Sequence, residues 1–199
     1  MVVGLLKPTS GRIHFGGKDV TRMAMYKRAR AGMAYLPQEP SVFRDLTARQ
    51  NLLAVLEFQS LSRAERNKKA DQLLAELDIE HVANSKDYVL SGGERRRVEI
   101  GRALCIDPKV FLLDEPVAGI DPIAVNDLQH TIRGLKDRGI GVLITDHNVR
   151  ETLHIADHAY ILSEGHVLVQ GTPQEIAADP LARKTYLGDQ FDIRQDRKG

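Results

Sequence analysis

The sequence predicts an α/β fold with a mostly parallel sheet, and three observations point there. Short β-rich runs alternate along the chain with stretches of helical periodicity. Residues 110–113 and 141–145 are apolar or small rather than alternating, the pattern of strands covered on both faces. Each run delivers polar groups at its C-terminal end, Asp114 and Glu115 after the first and Asp146 and His147 after the second. Open parallel sheets bind ligands at that edge.

The elements follow in order. The opening, MVVGLLKPTSGR, reads as the end of a helix: Val2, Val3, Leu5 and Leu6 form an apolar run, Lys7 and Pro8 stop it, and Thr9-Ser10-Gly11 make a turn. Residues 12–15 alternate up to Gly16-Gly17, which predicts a hairpin strand. Residues 33–36 form a second strand, closed by Pro37. From Thr47 to Leu77 the pattern is helical, with Leu52, Leu53, Val55, Leu56 and then Leu73, Leu74, Leu77 at helical spacing. Inside it, Ser62 with Glu65 three residues on predicts a capping box. Another helix runs from Glu94. Residues 160–162 and 167–169, separated by Glu164-Gly165, read as a hairpin, and a helix starts near Thr172-Pro173 with proline in its first turn. The tail, residues 192–199, is polar and expected to fray.

Composition narrows the classes. A chain of 199 residues, 42% apolar and 28% charged, is that of a soluble globular protein with a substantial core. Lys plus Arg total 28 against 27 Asp plus Glu, and a net charge of +1 gives no electrostatic case for nucleic-acid binding. The single cysteine, Cys105, excludes an internal disulfide and reads as a small buried apolar residue in a reducing cytosol. No apolar run is long enough to cross a bilayer, so direct membrane insertion is not expected and any membrane association would go through a partner. Arg95-Arg96-Arg97 spreads over several helix faces beside Glu94 and Glu99, which predicts a salt-bridged surface. His154 and His158 stand at i and i+4, but Ile155 follows His154 where a zinc protease needs Glu, so a solvated helix end is expected.

Two stretches carry chemistry. In VFLLDEP, residues 110–116, a buried strand presents Asp114 and Glu115; adjacent acids can divide the work, one holding a hard cation such as Mg²⁺ and the other polarising a water. In LSGGERRRVEIGRAL, residues 90–104, Ser91-Gly92-Gly93 open a helix, and a helix start with unpaired N–H groups is a natural seat for phosphate.

In this order and at this separation, the two stretches resemble the nucleotide-binding subunits of ABC transporters. LSGGE matches that family's signature motif and VFLLDEP its Walker B motif with the following glutamate. Gln38 in YLPQE matches the Q-loop glutamine, Asp121 in AGIDP the D-loop aspartate, and His147 in LITDHN the switch histidine. The resemblance covers essentially the whole chain. It implies an ABC-type P-loop NTPase fold: a RecA-like core, an antiparallel β subdomain near the N-terminus, and a helical subdomain over residues 45–105, all within one partial nucleotide-binding domain spanning 1–199.

It also implies roles. Asp114 would hold Mg²⁺ through its water shell, and Gln38 would reach the same ion. Glu115 would be general base on the attacking water, and His147 would contact the γ-phosphate. Ser91, Gly92 and Gly93 would grip the γ-phosphate of ATP bound mainly by the opposite subunit of a homodimer, with Asp121 across the dimer interface. Two integral-membrane transporter subunits would make contact near Gln38, Phe43 and Arg44. YLPQEPSVFRDLT, GIDPIAVNDLQ, GVLITDHNVRETL and YLGDQF look like the ATP-binding subunits of lipopolysaccharide export systems, peripheral on the cytoplasmic face of the inner membrane. Branched-chain amino-acid importer ATPases are the nearest competitors, and a non-hydrolysing remnant that only binds partners is the rival of another class.

One family feature is missing. A P-loop ATPase cradles phosphates on G-x-x-x-x-G-K-[ST], and no such run occurs in the 199 residues. In GRIHFGGKD, Gly11 and Gly16 have the right spacing, but Gly17 stands where lysine is needed. The resemblance implies that the first strand, the P-loop and an adenine-stacking aromatic would lie upstream of Met1, lost through a misassigned start or a degraded gene. An in-frame GPNGAGKTT-like segment in the upstream DNA would support misassignment, and a stop or an unrelated sequence would refute it. The absent strand is expected beside the strand carrying Asp114, leaving that strand an unpaired edge. The 199 residues alone are expected to bind ATP weakly and hydrolyse it negligibly.

Overall fold

The computed structural model describes residues 1–188, and at positions 122 and 123 the backbone alone. The chain divides into two compact units, Met1–Thr145 and Asp146–Gly199.

The first unit opens with a turn rather than a helix end at Lys7-Pro8. Gly4 takes a left-handed φ of 91° and its N–H returns to the Met1 carbonyl at 3.0 Å. Arg28 locks this turn: buried, it donates to the carbonyls of Met1 at 2.9 Å, Val2 at 2.5 Å, Thr21 at 3.0 Å and Met23 at 2.9 Å. Strands β1 (His14–Phe15) and β2 (Lys18–Asp19) pair antiparallel. Their connection, Gly16-Gly17, has φ of 55° and 75°, the twist that a two-residue hairpin needs and that glycine supplies without strain. Helix α1 (Met25–Arg30) leads into β3 (Met33–Leu36).

The helical pattern from Thr47 to Leu77 is realised as two helices, α2 (Ala48–Leu56) and α3 (Arg63–Glu76). Both start in a capping box, Thr47 with Gln50 and Ser62 with Glu65, as the serine–glutamate spacing predicts for the second. After two 3₁₀ turns, Glu80–Val82 and Asp87–Val89, α4 (Gly92–Leu104) packs on α2 and α3. Leu52, Leu56, Leu73, Leu74, Leu77, Ile79, Val98, Ile100 and Leu104 are all buried. Gly101 allows a close approach in this packing: a Cβ there would stand 2.9 Å from Leu77 Cδ1, whose side chain would have to shift.

Strand β4 (Val110–Asp114), helix α5 (Pro122–Asp137) and strand β5 (Gly141–Thr145) complete the unit. The sheet is three-stranded and parallel, in the order β3-β4-β5, with Leu36 level with Leu113 and Asp114 level with Thr145. Two expectations change here. Strand β4 has no open edge, because β3 and β5 bond to its two sides. Among the described residues the strands of this sheet with a single bonded neighbour are β3 and β5, and β5 is also less covered than its apolar sequence predicts: Leu143 is 47% exposed.

The second unit starts with α6 (Val149–Ile155), followed by the antiparallel pair β6 (Ala159–Ser163) and β7 (His166–Gly171). The turn between the strands is Glu164-Gly165, as predicted, with φ of 49° and 80°. Helix α7 (Pro173–Ala178) begins at Thr172, whose capping box with Glu175 and first-turn proline match the sequence reading. Leu153, Ile161, Ile176, Ala177, Ala182 and Leu187 form its core. Arg150 ties the last described turn by donating to the Leu187 carbonyl at 2.7 Å. Residues 189–191 of YLGDQF and the polar tail lie outside the described residues.

Candidate functional site

The end of β4 gathers the acidic pair with groups from both neighbouring strands. Asp114 Oδ1 accepts from Thr145 Oγ1 at 2.7 Å, and Oδ2 accepts from the Tyr35 hydroxyl at 3.1 Å. Burial, then the carboxylate of Asp114, raises the Tyr35 phenol above its ordinary value and keeps it a donor. Glu115 leaves the strand at once. Its N–H bonds to the Thr145 carbonyl at 2.7 Å, and its φ of 44° is left-handed, a conformation that costs a non-glycine residue roughly 1 kcal/mol or more. This twist re-aims the side chain, and Glu115 Oε2 accepts from Gln38 Nε2 at 2.8 Å. Gln38 itself follows β3 by two residues, one beyond the Pro37 that ends the strand.

These groups fit Mg²⁺. Among the described residues no cluster of His, Cys, Asp and Glu forms a complete cage, and Mg²⁺ characteristically takes one or two carboxylates and keeps water and phosphate oxygens for the rest. Each Asp114 oxygen accepts one bond in this geometry, and a carboxylate oxygen has a second lone pair to offer a cation. The Gln38 amide, with its nitrogen committed to Glu115, keeps its carbonyl oxygen for the ion.

The Ser91-Gly92-Gly93 corner is the N-terminus of α4. Ser91 is its cap, in a reciprocal box with Glu94: Ser91 N–H and Oγ–H both reach Glu94 Oε2, at 2.8 and 2.7 Å. His81 approaches the other oxygen at 2.9 Å. Burial opposes ionisation of Glu94, but the Ser91 bonds and then His81 outweigh it and lower the carboxyl below its ordinary value. The glycines meet a neighbour in the same chain as well as facing the helix start. A Cβ on Gly93 would stand 2.9 Å from Ala124 Cβ on α5, and one on Gly92 would stand 3.8 Å from the Gly119 carbonyl. The loop holding Asp121, which immediately precedes α5, therefore lies against this corner.

Beyond Gln38 the loop reaches Phe43, half exposed at 50%. The Arg102 guanidinium sits 4.7 Å from the centre of its ring, and buried Asn51 holds its backbone, accepting from Phe43 N–H at 2.9 Å and donating to Phe43 O at 3.1 Å. His147 belongs to the second unit, where it is exposed and its Nδ1 lies 3.7 Å from Asp146 Oδ1.

Sequence reasoning missed Tyr35, Thr145 and Arg96. The basic run 95–97 is not wholly a surface: Arg95 pairs with Asp87 at 2.8 Å, but Arg96 is 7% exposed and paired at 2.9 Å with buried Glu99. The available signal was Glu99 itself, a charge between Val98 and Ile100 on a helix, with an arginine three residues before it.

Such a fold, with a glutamine loop meeting an acidic strand end and a Ser-Gly-Gly cap opening α4, defines a nucleotide-binding cassette. The family model for ABC transporters matches residues 1–118, and the chain belongs to that family. It is 58% identical to the lipopolysaccharide export system ATP-binding protein LptB of Acidithiobacillus ferridurans, across 97% of this chain and 80% of that protein. Among solved structures it resembles MJ1267, an ATP-binding cassette of an ABC transporter, with a TM-score of 0.83 and 30% identity over 94% of this chain and 81% of that one. It also resembles the ATP-binding cassette MJ0796, solved as a dimer in a post-hydrolysis state bound to ADP and Pi, with a TM-score of 0.73 and 25% identity over 85% of this chain and 76% of that one.

Proposed function

We propose that this chain is the ATP-hydrolysing subunit of a transporter that extracts lipopolysaccharide from the inner membrane for export. It works as a homodimer on the cytoplasmic face, docked on two integral-membrane subunits near Gln38, Phe43 and Arg44. The observation that carries the hydrolytic part is the bond from Gln38 to Glu115 beside Asp114. The name of the LptB relative supports lipopolysaccharide over branched-chain amino acids as cargo, and the dimeric MJ0796 cassette supports the pairing of two copies.

In this reading Asp114, oriented by Tyr35 and Thr145, holds Mg²⁺, which when bound neutralises phosphate charge. Glu115 takes a proton from the attacking water, and Gln38 fixes its carboxylate meanwhile. Ser91, Gly92 and Gly93 of one copy offer the N-terminus of α4 to the γ-phosphate of nucleotide held by the other, where Ser91 Oγ exchanges its bond to Glu94 for one to phosphate. Asp121 lies across the interface, and His147 contacts the γ-phosphate. Catalysis is positioning and charge stabilisation, so closure of the two copies is the committing step.

The test is phosphate release from Mg·ATP by the product of the whole reading frame in which these residues stand, assembled with its membrane subunits. Glu115→Gln is expected to lower turnover about 10²–10⁴-fold, the range for loss of a general base, with ATP still bound. Unchanged turnover would remove Glu115 from the role of base and with it the hydrolytic reading.

A further inference from the structure

A stripe along α4 well past its Ser91 cap carries Arg96, Glu99 and Arg102, spaced i, i+3 and i+6 on one face. This stripe holds the backbone of two separate segments. Arg96 Nη2 donates to the carbonyls of Asp114 at 3.2 Å and Glu115 at 3.3 Å, and its Nε donates to that of Pro116 at 3.1 Å. Its Nη1 donates to the Pro37 carbonyl at 2.8 Å and to Glu99 Oε2 at 2.9 Å. The second oxygen of Glu99 accepts from the N–H of Ser41 at 2.5 Å and from its hydroxyl at 3.2 Å, while Arg102 donates to the Ser41 carbonyl. The arch from Pro37 to Ser41, which carries Gln38 at its exposed side, is pinned at both feet. The turn carrying Asp114 and Glu115 is pinned by three consecutive carbonyls.

Two features ask for a reason beyond folding. Glu115 is held left-handed, which a glutamate tolerates only where its surroundings over-determine the backbone, and the Arg96 bonds to carbonyls on both sides of that twist provide this. The Arg96–Glu99 pair is buried on both partners, and a buried ion pair is commonly no more stable than apolar residues of the same volume. Its presence is therefore poorly explained by stability and well explained by the backbone it organises.

We propose that Arg96 and Glu99 are positioning residues for the hydrolytic site. By anchoring both carrier segments to one face of α4, they hold the Gln38 amide against the Glu115 carboxylate. Neither touches substrate. Because the pair belongs to the helix that starts at the Ser91 corner, a displacement of α4 is transmitted to Gln38 and Glu115 together. This deepens the ATPase reading and rests on it for the importance of those two groups.

The experiment uses the full 199-residue chain without nucleotide. The side-chain amide resonance of Gln38 is followed by ¹⁵N NMR, with Glu115→Ala as the reference for a released amide. Hydrogen exchange of residues 37–41 and 114–117 is compared with that of α3, which the stripe does not touch. In the double variant Arg96→Met with Glu99→Met, the chain is expected to stay folded with a lowered melting temperature, because the backbone groups that the pair satisfies lose their partners. The Gln38 resonance moves to the Glu115→Ala position, and both segments exchange at least about tenfold faster while α3 is unchanged. Glu99→Gln, which keeps the shape and removes the charge, moves the resonance in the same direction. A folded double variant with resonance and exchange unchanged overturns the proposal. If the double variant does not fold, an unmoved resonance in Glu99→Gln does the same. Since no nucleotide is used, a failure of Glu115→Gln to lower phosphate release strikes the ATPase reading and leaves the anchoring of the two segments standing.

Discussion

Adjacent glycines at the start of α4 are expected to respond to the same substitution with opposite signs. At Gly93 an alanine Cβ would lie 2.9 Å from Ala124 Cβ, against about 3.5–4.0 Å for a comfortable carbon–carbon contact. Ala124 Cβ sits directly on the α5 backbone and has no rotamer with which to retreat, so one helix must move by more than half an ångström. Overpacking of this kind costs about 1–3 kcal/mol, offset by about 0.8 kcal/mol of helix propensity, for a net loss of about 0.2–2 kcal/mol. At Gly92 the new Cβ would be 3.8 Å from the Gly119 carbonyl, an ordinary contact, and its φ is not left-handed, so Gly92→Ala should be neutral or stabilising by up to about 1 kcal/mol. Urea denaturation measures both. With a slope of about 2 kcal/mol/M, Gly93→Ala should lower the midpoint by about 0.1–1 M and Gly92→Ala should not lower it. Adding Ala124→Gly to Gly93→Ala should recover most of the loss despite its own propensity cost, as coupled neighbours do. Equal effects at the two glycines, or no recovery in the double variant, would refute the close-approach argument.

Two further outcomes are expected. Glu94 has a carboxyl lowered below its ordinary value of 4.5 in the folded chain, so its cap contributes fully above that value and is lost as pH falls through the lowered one. The stability difference between the parent and Glu94→Gln should accordingly be constant near neutrality and shrink in acid, and a difference independent of pH down to pH 3 would contradict the capping geometry. Cys105 is buried with its thiol pushed up to about 12, chiefly by burial, so iodoacetamide at pH 8 should leave the native chain unmodified and label it on unfolding.

Much of this architecture was legible because local chemistry and tertiary structure agree. The Ser62–Glu65 and Thr172–Pro173 starts, the Gly16-Gly17 and Glu164-Gly165 hairpins and strands β3 to β5 all carry their own signals. Helix α1 carried none: MYKRAR has no apolar period, and the helix is fixed instead by Arg28 gathering carbonyls from as far as Met1. The acidic pair and Gln38 were identifiable by motif, but their contact depends on a left-handed residue that nothing in VFLLDEP announces. Arg96 was misread because a run of three arginines reads as solvent-facing, and only the three-dimensional convergence of Pro37, Asp114, Glu115 and Pro116 carbonyls gives a guanidinium enough partners to go inside. The strand neighbours of β4 were misplaced for a similar reason, since pairing order in a parallel sheet is set by crossovers that no single segment encodes.

The backbone at position 115 also bears on how such a protein would drift under engineering. Glycine, asparagine and aspartate accept that twist most cheaply, yet none has a carboxylate on an arm as long as glutamate's. A screen rewarding heat resistance alone would enrich them there, and each step gained in robustness would remove the carboxylate proposed above to activate water.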